Sequence, residues 1–200
     1  MQFNLFDTIQ SHVKNFGDNL YTSTPAVVEA YYPEDATIDC IPTIYKKDKD
    51  GVLVKATKLE RVPVQFSATE EFGITYPLQK GDQVMLIFAH QDTENWLESE
   101  DTFVPPKTAR KHNLNDAFAI PWRSKFNSSP VKEPENLNIY FKKSKVSVKP
   151  DGTIDITEGN SASGVTLSPN GDVDIFSVGD LNISSLGTTT IAGGKVVIQK

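Results

Sequence analysis

The last quarter of the chain carries an alternating apolar pattern that repeats. Pairs of the form apolar-x-apolar predict strands with one inward face, because side chains two apart on a strand share a side. The steps between successive pairs are 8, 11, 8, 8, 8 and 7 residues, and the pairs are Val146/Val148, Ile154/Ile156, Val165/Leu167, Val173/Ile175, Leu181/Ile183, Thr189/Ile191 and Val196/Ile198. Short strands stacked at a nearly fixed step are typical of a β-solenoid.

Glycines follow the same period. Eight of the twelve lie after residue 151, and Gly171, Gly179 and Gly187 keep a step of eight, which predicts rod corners. With only about eight residues for one strand and one corner, a single chain supplies about one face of a rod at each strand level. Three chains wound together would supply three faces, so three chains are needed to close a core. We therefore predict a homotrimer with an intertwined β-helix (a β-prism). Its interior and trimer core comprise Val146, Val148, Ile154, Ile156, Val165, Leu167, Val173, Ile175, Leu181, Ile183, Ile191, Val196 and Ile198.

The middle of the chain has a different sequence pattern. Five or so short runs rich in β-branched and aromatic residues fall between residues 25 and 124, separated by turns. This pattern favours a small antiparallel barrel of the OB type. Linker composition follows around Ser128, Ser129, Pro130 and Pro134. The predicted organisation is all-β: an N-terminal helix (1–22), an OB-fold domain (23–125), a linker (126–136) and a β-helix rod (137–200).

The first twenty residues predict an amphipathic helix. Its apolar positions are spaced by 3, 4, 3 and 4, which puts them on one stripe: Phe6, Ile9, Val13, Phe16 and Leu20. The helix either docks on a neighbouring subunit or folds onto its own domain, and the pattern does not decide between the two.

The charge, the cysteine content and the lengths of the apolar runs exclude several kinds of site and partner. The net charge is −6 and the acidic excess lies before residue 137, so a nucleic acid is not expected as a partner. A single cysteine, Cys40, excludes an internal disulfide and a cysteine-rich zinc site. Neither a membrane-spanning apolar run nor a signal peptide is recognisable in the sequence.

Candidate chemistry is sparse. The three histidines, His12, His90 and His112, lack a local ligand spacing, and each is interpreted as an ordinary surface or packing residue. An acidic run after the predicted buried strand could be imagined as a carboxylate pair of a glycosidase, but a solvated loop is the preferred interpretation: Asp92, Glu94, Glu98, Glu100 and Asp101. We therefore predict no catalytic, cofactor-binding or metal-binding residues, and no enzyme.

Four motifs span roughly half of the chain: Val28 to Pro42, Val62-Pro63-Val64-Gln65-Phe66, Gly81 to Phe88 followed by Asp92 and Trp96, and Arg110 to Pro121. Taken together and in this order, they resemble one known family, the small central (membrane-piercing) spike proteins of contractile phage baseplates.

The resemblance implies a homotrimer in the virion's tail baseplate. Its OB domain would face the hub or tail tube at the N-terminal side, and its triple-stranded β-helix would pierce the bacterial outer membrane on sheath contraction. Longer members finish in a tip with a His-x-His iron site, whereas no histidine follows His112 here. A separate tip protein, or a truncation before the tip, is therefore expected. The alternatives are a spike or hub adaptor of a related injection or secretion system, and an envelope-degrading enzyme.

Overall fold

The structure is a computed structural model that describes residues 5–197 except 19, 49, 123, 124, 126, 128 and 132. It divides into two compact units, unit 1 (1–130) and unit 2 (131–200). Within the described residues the chain is mostly β, as predicted, with two α-helices and one 3-10 turn.

Unit 1 begins with the predicted helix and continues with short strands. The elements are α1 (Leu5–Asp18), β1 (Ser23–Tyr32), β2 (Thr37–Pro42), β3 (Lys46–Lys47), β4 (Leu53–Val54), β5 (Leu59–Pro63), β6 (Ser67–Ala68), β7 (Gly73–Ile74), β8 (Gln83–Phe88), α2 (Glu94–Glu98), a 3-10 turn (Leu114–Asp116) and β9 (Ala117–Pro121). The sequence pattern predicts a hairpin tip before Val52-Leu53-Val54, which the β3–β4 hairpin confirms, whereas strand β9 and the small hairpin β6–β7 were not identified from it.

Five of these strands form one antiparallel sheet in the order β5-β2-β1-β8-β9. The sheet curls, because a parallel bridge between Val64 and Ala119 links the two edge strands. Its concave side holds the core, which includes the fully buried Val28, Ile38, Cys40 and Leu86. Burial raises the pKa of the Cys40 thiol to about 12, so this cysteine is an inert core residue.

Unit 2 is one sheet of five strands in chain order, paired antiparallel. They are β10 (Leu137–Phe141), β11 (Ser144–Val148), β12 (Ile154–Thr157), β13 (Ser163–Leu167) and β14 (Val173–Ser177). The strands predicted at the first four apolar pairs are confirmed. The intertwined β-helix itself is not shown, because in the single chain each of these strands pairs with a neighbour of the same chain.

Turn chemistry explains this meander. Two corners share a Pro-(Asp/Asn)-Gly sequence, at Pro150-Asp151-Gly152 and Pro169-Asn170-Gly171, and both glycines have positive φ, of 89° and 91°. In the second corner the amide of Gly171 donates to the Ser168 carbonyl at 3.0 Å, and the Ser168 amide donates to Asp172 at 2.9 Å. Such turns reverse the chain and direct each strand back along the previous one.

The strands predicted at Leu181/Ile183, Thr189/Ile191 and Val196 stay predictions for the trimer, since residues 178–197 form no strand in the described structure of the single chain. The corners here contain Val178-Gly179 and Leu186-Gly187 rather than Pro-Asn-Gly. Without a hairpin turn these segments do not fold back on β14, and a strand without a neighbour has no hydrogen-bonding ladder. Ile198 lies outside the described residues.

Candidate assembly interface

The sheet of unit 2 aligns its apolar residues into two rows. Across the strands, Ile139 pairs with Val146, then Ile156, Val165 and Ile175 follow in register. The neighbouring row is formed by Leu137, Val148, Ile154, Leu167 and Val173. These ten residues, called the apolar face below, lie on one side of the sheet because cross-strand partners and residues two apart share a side.

All eight predicted interior residues between Val146 and Ile175 belong to this face. The structure adds Leu137 and Ile139, which the eight-residue repeat missed because β10 precedes its first pair. An alternating Leu137-x-Ile139 pattern is present in the sequence and was the available signal.

The apolar face is largely open in the single chain. Six members are exposed, from Leu167 at 38% to Leu137 at 68%, and the other four are half-buried. Beyond the sheet, Leu181, Ile183, Ile191 and Val196 are exposed as well. A continuous patch of aligned β-branched and leucine side chains is characteristic of a surface that associates with another protein surface.

The opposite face of the same sheet carries a polar central row. Its central row contains Asn138, Ser147, Asp155, Thr166 and Asp174. Asp155 accepts hydrogen bonds from Lys149 at 2.6 Å and Thr166 at 3.0 Å. The hydrogen bond from Lys149 is the main cause that lowers the pKa of Asp155. The two faces therefore differ in chemistry: the apolar face holds two full rows of apolar side chains, whereas the exposed apolar groups of the opposite face are Tyr140 and Phe176 at its edges.

The predicted corner glycines behave differently from one another. Gly171 has φ of +91°, a conformation that favours glycine, and it forms a hairpin corner. Gly179 and Gly187 have no positive φ in the single chain, and a Cβ at either would meet open space or ordinary contact. Their predicted role as rod corners is not tested by a single chain.

A second open apolar surface is the stripe of helix α1. Phe6, Ile9, Val13, Phe16 and Leu20 are all exposed, as is Leu5. The alternative in which the helix folds onto its own domain is therefore not what the structure shows. The docking alternative agrees with these exposures.

The acidic run in unit 1 is solvated only in part: Glu98, Glu100 and Asp101 are exposed as predicted, whereas the prediction is wrong for Asp92. Asp92 is buried, and its carboxylate accepts hydrogen bonds from Arg110 Nη2 at 2.8 Å and from Thr108 Oγ1 at 2.5 Å. Glu94 lies at the edge of the same cluster, 3.5 Å from Arg110 Nη1. The sequence interpretation failed here because the neutralising guanidinium comes eighteen residues later in the chain.

The same cluster does not have the chemistry of an acid–base pair. The Thr108 hydrogen bond is the largest cause that lowers the pKa of Asp92. Burial by itself would raise the pKa of Asp116, but hydrogen bonds from Arg110 and the Thr93 amide outweigh it, and this pKa is lowered too. Both carboxylates are thereby held ionised, whereas a general acid needs a raised pKa.

Two histidines that are distant in the sequence come into contact. Nδ1 of His90 lies 3.0 Å from Nε2 of His112, and the rings are inclined at 67°. The local spacing of histidines could not reveal this pair. Across the described residues, no group of three or more His, Cys, Asp or Glu side chains is arranged to hold a metal ion.

Comparison with known proteins bears on unit 1. Residues 24–122 match the family model described as the phage protein Gp138 N-terminal domain. The matched range runs from β1 to the end of β9 and contains the whole curled sheet. No curated protein matches the chain. The family match supports a phage structural protein of the baseplate or spike type and a component of the virion.

In the part of the chain that the structure describes, no helix has the length and apolar character needed to cross a membrane.

Proposed function

We propose that this phage protein is the trimeric central spike of a contractile tail baseplate, and that it pierces the bacterial outer membrane mechanically when the sheath contracts. The observation that carries the proposal is the apolar face of unit 2. Ten aligned apolar side chains, six of them exposed and four half-buried, lie on one side of a sheet whose other side has a polar central row.

Association is energetically well supported. Covering a half-exposed Val, Ile or Leu contributes on the order of 1 kcal/mol, and the whole face thus contributes roughly 10 kcal/mol per chain. This gain must exceed the loss of translational, rotational and side-chain entropy on association. Three sheets placed around an axis cover one another's apolar faces and form a closed prism.

Residues 178–197 favour three intertwined chains over an isolated monomer. They keep apolar pairs at a step of eight but find no strand neighbour in their own chain. Strands from other copies would supply both the missing ladder and cover for Leu181, Ile183 and Ile191. In this proposal β10–β14 form the base of the prism and the following residues its intertwined part.

In this proposal unit 1 attaches the protein to the rest of the baseplate. Its five-stranded, partly open antiparallel sheet is compatible with the OB fold that the sequence predicts. Helix α1 presents its exposed apolar stripe as a docking surface for a hub or tail-tube protein of the baseplate. A separate tip protein at the other end stays a prediction from the sequence.

The proposed role is mechanical and does not involve an enzymatic reaction. A hydrogen-bonded prism with a packed interior resists bending, and the energy for penetration comes from the sheath. The one carboxylate cluster considered as a catalytic pair is held ionised by Arg110 and its neighbours.

The proposal is tested by the molar mass of the full chain in solution and by an assay on purified cell walls. We expect three times the 22.1 kDa mass of one chain, measured by light scattering after size exclusion, and a short rod on a threefold base in electron micrographs. We expect no loss of turbidity from cell walls. A stable monomer or dimer would overturn the trimeric spike, and cell-wall hydrolysis would overturn the mechanical role.

A further inference from the structure

The contact between His90 and His112 is held by the backbone of unit 1. His90 follows β8, and His112 precedes the 3-10 turn that leads into β9. The amide of His112 donates to the carbonyl of Ala89 at 3.2 Å, and its carbonyl accepts from the amide of Tyr21 at 3.3 Å. Ala89 is the residue before His90, so both histidines are attached to the same end of β8.

His112 adopts an unusual backbone conformation. Its φ is 47°, in the left-handed region that non-glycine residues seldom occupy and that costs on the order of 1 kcal/mol. The two backbone hydrogen bonds hold this conformation. The fold therefore fixes the backbone from which the His112 ring extends toward His90.

Two ring nitrogens 3.0 Å apart must share one proton, since one of them has to accept with its lone pair. A divalent metal ion can take the place of that proton. Zinc binds imidazole nitrogen at about 2.0–2.1 Å, and a tetrahedral site then separates two such nitrogens by about 3.3 Å. The observed separation is within a few tenths of an ångström of this value.

From this geometry we propose that His90 and His112 form a two-histidine binding site for a borderline transition-metal ion such as Zn²⁺. The ion is bound by Nδ1 of His90 and Nε2 of His112. The proton between them moves to the far nitrogen of its own ring, so both imidazoles stay neutral, the form that binds metals. The net charge of −6 favours approach of a cation. The proposal does not depend on the piercing function or on trimer formation.

The site is open, because two side chains leave other coordination positions for water. Open positions are typical of zinc sites with fewer than four protein ligands. Binding would link the end of β8 to the segment before β9, and it would stabilise the folded state of unit 1 in proportion to the occupancy of the site.

The test is a Zn²⁺ titration of the full, tag-free chain at pH 7.5, by calorimetry and in competition with a chromogenic zinc indicator. The matched variants are His90→Gln and His112→Asn, since asparagine tolerates a positive φ. The control is His12→Gln, which removes the one histidine outside the pair. We expect one ion per chain in the wild type and in the control, and binding weakened roughly tenfold or more in both pair variants.

Imidazole NMR of the wild type with Zn²⁺ keeps the test decisive if a variant unfolds. We expect the ring signals of His90 and His112 to shift and those of His12 to stay in place. Absence of saturable binding by the wild type would overturn the proposal. So would binding that survives in both pair variants, or binding that is lost in the His12 control.

Discussion

Arg110 and Asp116 form a two-pronged ion pair beside the curled sheet of unit 1. Nε of Arg110 lies 2.8 Å from Oδ2 of Asp116, and Nη2 lies 2.9 Å from Oδ1. The Asp116 carboxylate is fully buried, and the Arg110 side chain is 23% exposed. Since Nη2 also donates to the buried Asp92, two buried carboxylates share one guanidinium.

Replacing Arg110 with Ala should destabilise unit 1 by about 3 kcal/mol, because removal of one partner leaves buried charges unpaired. Both tryptophans, Trp96 and Trp122, lie in unit 1, so urea unfolding followed by tryptophan fluorescence reports this unit alone. The control is Lys107→Ala, which removes a half-exposed partner of Glu94 and should cost less than 1 kcal/mol. Equal losses in the two variants would contradict the buried-pair account.

Acid should weaken unit 1. The pKa values of Asp92 and Asp116 are lowered in the folded state, so their stabilisation is present above the unfolded value of about 3.9 and is lost as pH falls through the folded values. The free energy of unfolding of unit 1, measured by urea titration with tryptophan fluorescence, should therefore be constant near neutral pH and decrease below about pH 4. In Arg110→Ala this fall should be shallower. An identical pH profile in the variant would exclude Arg110 as a cause.

Substituting Ile175 with Lys should prevent or weaken assembly, because it places a charge on the apolar face. The matched control is Asp174→Lys, which puts the same side chain on the adjacent residue of β14, on the polar face and exposed. We expect the trimer mass to be lost only in the Ile175 variant, by light scattering. A trimer that survives in Ile175→Lys with unchanged melting would show that this face is not the interface.

Gly171→Ala should destabilise the β13–β14 hairpin by about 1 kcal/mol, since alanine is strained at φ of +91° although space is open. Gly171→Asn should cost less, because asparagine tolerates this region. Gly179→Ala, without a positive φ, should be nearly neutral. Amide hydrogen exchange in β13 and β14 measures the differences. Faster exchange in Gly179→Ala than in Gly171→Ala would contradict this order.

Much of the strand content could be predicted from the sequence. Alternation at Val146/Val148 or Val173/Ile175 is a local signal, because side-chain direction on a strand depends only on position along it. The connections were predicted less well. Pro150-Asp151-Gly152 and Pro169-Asn170-Gly171 are hairpin signals, and the interpretation from the eight-residue repeat did not use them. It therefore missed the meander that residues 137–177 form within one chain.

What the sequence by itself determined is periodic and local: the apolar stripe of α1, the alternation in β11–β14 and the corner at Gly171. Only the tertiary structure decided which distant residues meet. Arg110 reaches Asp92 across eighteen positions, and His112 reaches His90 across twenty-two. These contacts depend on the pairing of β8 with β9, which brings the segments at their ends together, and no local pattern encodes such a meeting.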